Sequence, residues 1–517
     1  MKKVLSLLAA FGVMFYLSSC GDDDDDPVAD NGVTITGIPA TASIDNLGTY
    51  TGTVTLEAPD GLAALAVTKG SAAFDAETYT GETSATWAFS YTAVEADEDS
   101  NITFTFTATD ADGDTEVFTH VLSVGDAPEP LPNEVLSGLI TANKTLTADR
   151  IWELAGRVIV TDGATLTIEP GTIIKGRPGE GTNASVLMIA RDGMIDAEGT
   201  ADNPIIFTAT ADNIAVGQKI GSNLDANDNE LWGGVVILGN APISPDAGTT
   251  AQIEGVPASE PLGQYGGDVA DDNRGTLKYV SIRHGGTTID AVAGNDINGL
   301  TLGGVGSGTT ISHIEIFANY DDGVEFFGGS VNLSNLLVYT VGDDAIDVDQ
   351  AYSGTVSNFL VYTSTAASSD EGLEIDGPEG SENSTGKFTI ENGTITSVDG
   401  GGFAADFKSK AQGTVNNVKY SGFTGGATIK IRASFDPDNS CADKTDAYTN
   451  VIGDNLVFTT VEFSAVSVYD GDDEDACDVP ASYQTSAAGK VSSATATGAS
   501  DATVFDAWSY ASISELL

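Results

Sequence analysis

Short apolar runs separated by polar turns fill the second half of the chain, and an asparagine recurs inside them every 20-odd residues, as in Thr355-Val-Ser-Asn358-Phe-Leu-Val-Tyr. A motif that returns at a regular period indicates stacked repeats, each too small to bury its own apolar face. The pattern predicts a β-solenoid over residues 134–517, with a ladder of side chains at the recurring polar position. The predicted ladder residues are Asn335, Asn358, Asn392, Asn417 and Asn455, and His313 begins the series.

The first part of the chain has a different pattern. Residues 32–125 alternate between apolar and polar positions, as in Asn101-Ile-Thr-Phe-Thr-Phe-Thr-Ala. Such runs, bounded by Gly and Asp turns, predict a small β-sandwich of the immunoglobulin-like type. The proline-rich residues 126–133 predict a stiff linker. The expected fold class is all-β, a sandwich followed by a β-solenoid with a C-terminal cap.

Each asparagine run follows an acidic segment, such as Asp343-Asp-Ala-Ile-Asp347-Val-Asp349. Because alternate side chains of a strand share a face, one set points into the solenoid and the other points out. The inward set is Val324, Ile346, Leu373 and Ile429. The outward set forms one column of Glu325, Asp347, Glu374 and Lys430 and a second column of Phe327, Asp349, Asp376 and Arg432. The pattern predicts a strip of carboxylates that ends in two cations.

Stacked like charges repel, at a spacing of about 5 Å between rungs. Raised pKa values, a bound metal ion or plain solvation would each relieve the repulsion, and the sequence leaves all three open. Calcium is the favoured metal because it takes several oxygen ligands, and only three His occur to suggest zinc. The predicted calcium ligands are Asp321, Asp343, Asp344, Asp370 and Glu371. The predicted ligand-binding residues are Glu325, Asp347, Asp349, Glu374, Asp376, Lys430 and Arg432.

Four long connections interrupt the predicted strands. Residues 377–386 and 433–450 are expected to wall one side of the acidic strip, and residues 212–230 and 244–274 to cap or flank it. Four tyrosines lie near these turns: Tyr320, Tyr339, Tyr352 and Tyr362. Tyrosine stacks on sugar rings, but Tyr339 and Tyr362 recur in register, so packing on each other is the alternative.

Charge and composition exclude several classes of function. The chain of 517 residues has 21 Lys and Arg against 76 Asp and Glu, and its net charge of −55 repels nucleic acid and anionic lipid headgroups. The patterned apolar fraction of 41% argues against disorder. The glycine-rich segment 303–308 has no predicted helix after it, so neither a nucleotide nor a redox cofactor is expected. Cys441 and Cys477 are predicted to form a disulfide, with two free thiols as the alternative.

The first residues have the features of a targeting segment. Lys2 and Lys3 precede an apolar stretch at 4–17, and Cys20 ends a Leu-Ser-Ser-Cys sequence. Residues 1–20 therefore resemble a bacterial lipoprotein signal peptide, which implies lipidation of Cys20. Asp22–Asp26, within an acidic tether at 21–31, resemble the surface-export signal of Bacteroidota lipoproteins. The resemblance implies a lipid-anchored protein of the outer membrane, exposed at the cell surface.

From about residue 150 to 480 the chain resembles the right-handed parallel β-helix proteins of the pectin-lyase-like group. Asn319-Tyr-Asp321-Asp322 and Gly342-Asp343-Asp344 are similar to two elements of its polygalacturonases, and Lys430-Ile-Arg432 to a third in reversed order. Their His-Gly element is missing at the expected place, because His284-Gly285 comes too early. Asp-Asp-Gly-x-Glu-Phe-Phe-Gly-Gly, at residues 321–329, also resembles Bacteroidota outer-membrane β-helix lipoproteins without an assigned activity.

Three functions follow as expectations. The favoured one is a surface lipoprotein whose β-helix binds a polymer, preferably a glycan, with calcium as the only expected cofactor. The second is an enzyme that cleaves or epimerises a polysaccharide as a lyase or glycoside hydrolase, so enzyme activity stays open. Its candidate catalytic residues are Asp322, Asp344, Asp347, Lys430 and Arg432. The third is an adhesin or accessory subunit that binds another outer-membrane protein.

Overall fold

The computed structural model describes residues 32–125, 131–256, 260–290, 295–469 and 477–517. The predicted signal peptide with Cys20, the acidic tether and residues 126–130 of the predicted linker lie outside these ranges. The chain divides into two compact units, Met1–Glu129 and Pro130–Leu517. The described residues of each unit have their own hydrophobic core.

The first unit is a sandwich of two sheets. Its strands are β1 Thr34–Thr36, β2 Thr41–Ile44, β3 Thr49–Glu57, β4 Leu62–Lys69, β5 Ala72–Thr78, β6 Ser84–Thr92, β7 Asn101–Asp110 and β8 Thr115–Val124. One sheet has the order β1-β3-β6 and the other β2-β8-β7-β4-β5. Inward side chains of both sheets, including Val54, Phe89 and Phe106, form one core, as the period-two pattern requires.

The second unit is a right-handed parallel β-helix, which confirms the predicted fold class. Its first strands are β9 Glu134–Ile140, β10 Lys144–Leu146, β11 Ile151–Val160, β12 Thr165–Ile168, β13 Ile173–Gly176, β14 Val186–Ile189, β15 Met194–Glu198, β16 Ile205–Ala209, β17 Val235–Leu238, β18 Ala251–Gln252, β19 Gln264–Tyr265, β20 Gly275–Arg283, β21 Thr288–Asp290, β22 Asn295–Asp296 and β23 Leu300–Gly303. The remaining strands are β24 Thr310–Phe317, β25 Val324–Phe327, β26 Asn332–Tyr339, β27 Ile346–Asp349, β28 Thr355–Thr363, β29 Glu374–Ile375, β30 Phe388–Ser397, β31 Ala405–Phe407, β32 Gly413–Ser421, β33 Thr428–Arg432, β34 Phe435–Asp436, β35 Ala442–Asp443, β36 Leu456–Thr459 and β37 Ala465–Tyr469.

The rungs of the β-helix stack through parallel strand pairs. The first face consists of β14, β17, β23, β25, β27, β29, β31, β33 and β37, each paired with the next. From β20 onward a single long strand on most rungs covers the other two faces and bends between them. Inward side chains of all three faces form one continuous core, which includes the predicted Val324, Ile346, Leu373 and Ile429.

The bend of each long strand carries the ladder. Its residues have positive φ on successive rungs: Tyr279 49°, His313 55°, Asn335 58°, Asn358 53°, Asn392 56°, Asn417 52° and Thr460 55°. Asparagine tolerates this left-handed conformation better than most residues. The Asn358 side-chain amide donates to Asn335 at 2.6 Å, and that of Asn417 donates to Asn392 at 2.9 Å. The predicted ladder is therefore confirmed for these four asparagines.

The ladder begins as predicted and differs from the prediction at its other end. Asn335 Nδ2 lies 3.2 Å from His313 Nε2, so His313 is the first hydrogen-bonded member, and Tyr279 on the preceding rung stacks on its ring at 4.2 Å between centroids. Asn455 is not a member, because β32 pairs with a strand that begins one residue later, at Leu456. Continuing that register aligns Thr460 with Asn417. Asn455 lies on the preceding turn and accepts a hydrogen bond from Lys387 at 3.0 Å.

Helices are short and concentrated near the C-terminus. The α-helices are α1 Ala447–Ile452, α2 Ala481–Lys490 and α3 Tyr510–Ile513, and 3-10 turns occur at Glu95–Asp97, Gly181–Asn183, Pro261–Gly263, Thr365–Ala367, Pro437–Asn439 and Thr503–Phe505. Within the described ranges, no helix has the length and apolar character needed to cross a membrane. Cys441 and Cys477 are joined by a disulfide, and such a loop closure stabilises a fold by roughly 3–4 kcal/mol.

Candidate functional site

The first face presents two files of outward side chains. The first file, aligned by strand register, is Thr301, Glu325, Asp347, Glu374, Asp406, Lys430 and Ser467. The second file is Phe327, Asp349, Asp376, Lys408, Arg432 and Tyr469. The predicted columns therefore stack as expected, but Asp406 is inserted into the first file and Lys408 into the second. The files also extend beyond the predicted ends, to Thr301 and Ser467 in the first and to Tyr469 in the second. These two files place acids from distant parts of the chain on neighbouring rungs.

A roof of two connections covers the acidic part of the files. The Glu379 amide donates to the Ser244 carbonyl at 3.1 Å, and the Asp246 amide donates to the Glu379 carboxylate at 3.0 Å, so the 244–256 and 377–386 segments are tied together. Beneath them, Glu325 is 5% exposed and Asp347 is 7% exposed. Plain solvation, one of the three remedies open from the sequence, is therefore not available to these two carboxyls.

Seven carboxyl groups, from the buried Asp322, Glu325 and Asp347 to the exposed Asp343, form three overlapping groups of three. The groups are Asp321, Asp322 and Asp343; Asp322, Glu325 and Asp347; and Asp347, Glu374 and Asp376. These seven residues are called the carboxylate cluster below. In each group, one oxygen of each residue lies within 4.8 Å of the others. Two oxygens on opposite sides of a calcium ion are separated by about the same distance, because Ca–O bonds are about 2.3–2.6 Å long.

Burial and mutual repulsion raise the pKa values of the cluster. Burial, with added repulsion from Asp296 and Asp343, raises the pKa of Asp321 to about 8. Burial, reinforced by Glu254 and Asp347, raises the pKa of Glu325 well above its usual range. The pKa of Asp347 is raised in the same way, first by burial and then by Asp349. Without a counter-ion, the cluster therefore retains protons near neutral pH.

Two further residues complete this environment. Glu254, from the roof, hydrogen-bonds to Glu325, so one of the two carboxyls must carry a proton; burial raises the pKa of Glu254 to about 7. The Asn298 side-chain amide also donates to Glu325 and, at 3.3 Å, to Thr301. Asn298 is 1% exposed, and its side-chain carbonyl has no hydrogen-bond partner among the described residues; the same is true of Asp347 Oδ1. Two buried oxygens thus lack a hydrogen-bond donor, and a cation bound here would coordinate them instead.

The cations lie at one end of the two files. Lys408 pairs with Glu374 and, at 3.6 Å, with Asp376. Burial opposes its charge, but these two carboxylates raise the pKa of Lys408 overall. Lys430 binds Glu371 at 2.5 Å. Among the described residues, no Lys or Arg forms a salt bridge with the five members of the cluster at the other end, which are Asp321, Asp322, Glu325, Asp343 and Asp347.

An open cavity of ≈ 380 Å³ adjoins that unpaired end. Its lining includes Asp321 and Asp343 of the cluster, Asn227 and Asn229 of the 212–230 segment, and Tyr320, which is 37% exposed. Carboxyl, amide and phenol groups around a polar cavity suit a ligand rich in hydroxyl groups. Because the cavity shares Asp321 and Asp343 with the cluster, a ligand in it would be adjacent to an ion held there.

The other predicted tyrosines do not line this cavity. Tyr339 stacks on Phe317 and packs against Tyr362 at 5.3 Å between centroids, which confirms the packing alternative for these two residues. Tyr352 points into the core, where its hydroxyl donates to the Val331 carbonyl at 2.7 Å.

The structure separates the predicted calcium ligands. Asp321 and Asp343 belong to the cluster, but Asp344, Asp370 and Glu371 belong to none of its groups. The Asp344 carboxylate instead accepts the Glu371 amide at 2.7 Å, and the Asp322 carboxylate accepts the Asp344 amide at 2.9 Å. These bonds form a backbone-linked chain across the turns.

Of the predicted ligand-binding residues, Glu325, Asp347, Glu374 and Asp376 are cluster members, and Asp349 lies beside Asp376 in the second file. Lys430 covers the ring of Phe403 at 3.5 Å. Arg432 lies over Tyr469, whose hydroxyl donates to Asp406. The predicted catalytic candidates therefore divide: Asp322 and Asp347 are in the cluster, and Lys430 and Arg432 are engaged elsewhere.

Four residues of the site are absent from the predicted columns and ligand sets. Asp406 and Lys408 had a usable signal, because they alternate with the inward Ala405 and Phe407. Their segment has six residues between Asp399 and Asp406, whereas the other copies have three between the corresponding acids, and this obscured the repeat. Glu254 lies in a long connection and Asn298 before a strand, and no repeat marks either of them.

The comparisons with known proteins bear on the β-helix alone. Residues 138–512, well over half of the chain, match the family model of the pectate-lyase-like β-helix domain. No curated protein and no solved structure matches the chain.

Proposed function

The chain belongs to the pectate-lyase-like β-helix family, and we propose that it binds a polymeric glycan on the first face with calcium held in the carboxylate cluster. The observation that carries this proposal is the three overlapping groups of carboxyl oxygens, roofed and without basic partners at one end. The polar cavity at that end, with Asp321, Asp343 and Tyr320 in its wall, is the proposed glycan contact. Because the cavity adjoins the cluster, a ligand bound in it would contact both the protein and the ion.

Calcium suits this donor set better than other common metals do. It accepts six to eight oxygen ligands in irregular geometry, and the cluster supplies only carboxylates, with the Asn298 carbonyl nearby. Zinc favours His and Cys ligands, which the cluster lacks. Burial, and then repulsion between the carboxylates, raises the pKa values of Asp321 and Asp347. A divalent cation would replace the retained protons and offset both effects.

A glycan array probed with the soluble fragment that follows Cys20 tests both parts of the proposal. We expect binding in calcium, with loss in chelator and in Asp347→Asn. Asp202→Asn is the matched control, because Asp202 is exposed and lies outside the cluster. Binding that is unchanged in chelator would remove calcium from the proposal, and a fragment that binds none of the glycans in calcium would contradict glycan binding itself.

A polysaccharide-cleaving or epimerising activity is the second candidate. The observation in its favour is Lys408, a cation 3.6 Å from Asp376, because Asp376 and Glu374 share a group with Asp347. A cation beside an ion-binding carboxylate group would bind the carboxylate of an acidic sugar next to Asp347, whose pKa, raised by burial and by Asp349, suits a general acid. Incubation with a panel of polyuronates should then release unsaturated or reducing ends. Full activity in an Asp344→Asn/Asp347→Asn double variant would exclude the cluster as the catalytic site.

We further propose that the protein is a lipoprotein anchored through Cys20 and exposed at the outer-membrane surface. The sequence of residues 1–26 supports this location. Labelling of cells with a clickable fatty acid should mark the wild type and not Cys20→Ser, and protease added to intact cells should cleave the protein. Co-purification of another outer-membrane protein would favour the adhesin or accessory-subunit role.

A further inference from the structure

The end of the chain runs back along the ladder side of the β-helix. Residues 494–515, called the C-terminal strap, begin near the last rungs, where the Ala494 amide donates to the Val461 carbonyl at 2.8 Å. The Thr497 amide then donates to the Asn417 side chain, and the Asp501 amide to that of Asn358, both at 2.9 Å. The strap therefore runs toward the earlier rungs by donating hydrogen bonds to the side-chain oxygens of the ladder asparagines.

The strap ends in an apolar anchor. Phe505, Trp508 and Ala511 are fully buried and share a hydrophobic cluster with Phe317 and Leu337 on the outside of the β-helix. This cluster is separate from the main core of the helix. The anchor lies on the rungs that lead directly into the turn carrying Tyr320 and Asp321.

A buried ion pair joins this anchor to the helix. Arg283 and Glu315 are both 0% exposed, with 3.9 Å between Nε and Oε2. Burying such a pair is costly unless its remaining donors and acceptors are used. The Glu315 carboxylate accepts the amides of Tyr510 at 2.8 Å and Ala511 at 2.9 Å. Arg283 donates to the Lys219 carbonyl at 2.7 Å, so the pair connects the strap with the 212–230 segment.

Two direct bonds tie the strap to the same segment. The Tyr510 hydroxyl donates to the Leu224 carbonyl at 2.7 Å, and the Lys219 ammonium donates to the Ala507 carbonyl at 2.8 Å. Asn227 and Asn229, which line the polar cavity, follow Leu224 by three and five residues. One wall of the cavity is thus held from one side by residues nearly 300 positions later in the chain, and from the other by His284, which lies 2.6 Å from the Asp228 carbonyl.

We infer that the C-terminal strap is the positioning element of this cavity wall and thereby sets the affinity for the ligand. Tyr510 and Lys219 are the positioning residues, because each makes a direct tie and neither lines the cavity. The effect on affinity rests on the proposed glycan binding, but the position of the wall does not. Release of the strap would leave the carboxylate cluster intact and would loosen Asn227 and Asn229.

Hydrogen exchange of the full-length chain tests the inference without any ligand. In Tyr510→Phe, which loses the hydrogen bond to the Leu224 carbonyl, amides of residues 219–229 should exchange about three- to tenfold faster. Lys219→Met loses the bond to Ala507 and a second bond to the Ala201 carbonyl, so its exchange should increase at least as much. Tyr420→Phe is the matched control: its buried hydroxyl has no partner among the described residues. Wild-type exchange rates in either tie variant would overturn the inference.

The glycan array gives the second readout. Both tie variants should bind several-fold more weakly than wild type to the glycans that wild type binds in calcium, while Tyr420→Phe should bind normally. Normal binding by variants with faster exchange would overturn the link to affinity. A wild-type protein that binds no glycan would count against the proposed function alone, because the exchange result is obtained without ligand.

Discussion

Two stacks of polar side chains run along the same β-helix with the same strand spacing, the asparagine ladder and the first file. In the ladder, each amide has donors as well as acceptors, so Asn358 bonds to Asn335 at 2.6 Å and Asn417 to Asn392 at 2.9 Å. In the first file, Glu325, Asp347 and Glu374 offer carboxyl groups, which are only acceptors when ionised. The ladder residues satisfy their hydrogen-bonding groups by bonding to one another, whereas the carboxyl groups of the file need protons or a cation to relieve their repulsion.

This difference separates a structural stack from a candidate functional one. A self-satisfying stack contributes to stability directly, through hydrogen bonds within the chain. A stack of buried like charges reduces stability until something binds to it, and perturbed pKa values of this kind are typical of functional sites. Substitutions in the two stacks should therefore change the free energy of unfolding in opposite directions.

The largest effect is expected in the ladder. Asn358→Leu removes the bonds to Asn335 and Asp501 and places a leucine at a φ of 53°. Together these losses should lower the free energy of unfolding by about 3–5 kcal/mol. Chemical denaturation of the soluble fragment would measure the change, with Asn358→Asp as a variant that keeps the acceptor. A loss below about 1 kcal/mol would show that the ladder is not a stabilising stack.

A substitution in the first file is expected to raise the free energy of unfolding. Asp347→Asn keeps the shape of the side chain and removes a carboxyl whose pKa is raised by burial and then by Asp349. In chelator at neutral pH, this variant should be more stable than wild type by about 1–3 kcal/mol. Thermal and denaturant unfolding with and without calcium would show the reversal. Destabilisation in chelator would mean that Asp347 serves as a structural acceptor, like a ladder residue.

The stability of the chelator-treated protein should depend on pH, because the carboxyl groups of the site retain protons and the ladder asparagines do not titrate. The pKa is raised by burial to about 7 in Glu254 and to about 8 in Asp321. Because these folded-state values exceed the unfolded ones, the folded protein binds protons that the unfolded chain has already released. Stability should therefore fall as the pH rises toward 8.

The window from about pH 7 to pH 8.5 should show a loss of about 1–2 kcal/mol. His284 and His313 do not interfere there, because burial lowers their pKa values and both are already neutral. Saturating calcium should flatten this slope. A chelator-treated protein with constant stability across the window would contradict the raised pKa values.

The smallest effect is expected where the ladder meets an aromatic pair. His313→Asn gives the position the residue type of its neighbours at a φ of 55°, but it loses the stacking on Tyr279. The two changes oppose each other, so stability should change by less than about 1 kcal/mol. Denaturation curves that overlap within this margin would show that His and Asn can replace each other at this ladder position. A larger loss would assign His313 a role beyond the ladder.

The sequence predicted the parts of the molecule that repeat. Inward residues such as Val324 and Ile346, the register of Glu325 with Asp347, and four ladder asparagines followed from periodicity. The prediction for Asn455 was wrong because Gly-Asp-Asn455, after α1, resembles the repeated motif locally, but the pairing of the following strand does not align Asn455 with the ladder. The prediction depended on local similarity, whereas strand pairing determines which residue enters the ladder.

The parts that do not repeat could not be predicted. Glu254 reaches Glu325 from a roof whose path depends on contacts with the 377–386 segment. The strap that carries Tyr510 contacts rungs almost 200 residues earlier, and no local pattern encodes that return. The burial of the file, and therefore its raised pKa values, comes from the long-range contacts of the roof.

Calorimetric titration of calcium into the chelator-stripped fragment tests the central claim most directly. Saturable binding is expected, with release of protons detected as a dependence of the heat on the ionisation enthalpy of the buffer, because the ion displaces protons from Asp321 and Asp347. Asp347→Asn should lose most of this binding, and Asp202→Asn should retain it. A wild-type fragment that shows no saturable binding at millimolar calcium would contradict the assignment of the carboxylate cluster as a cation site.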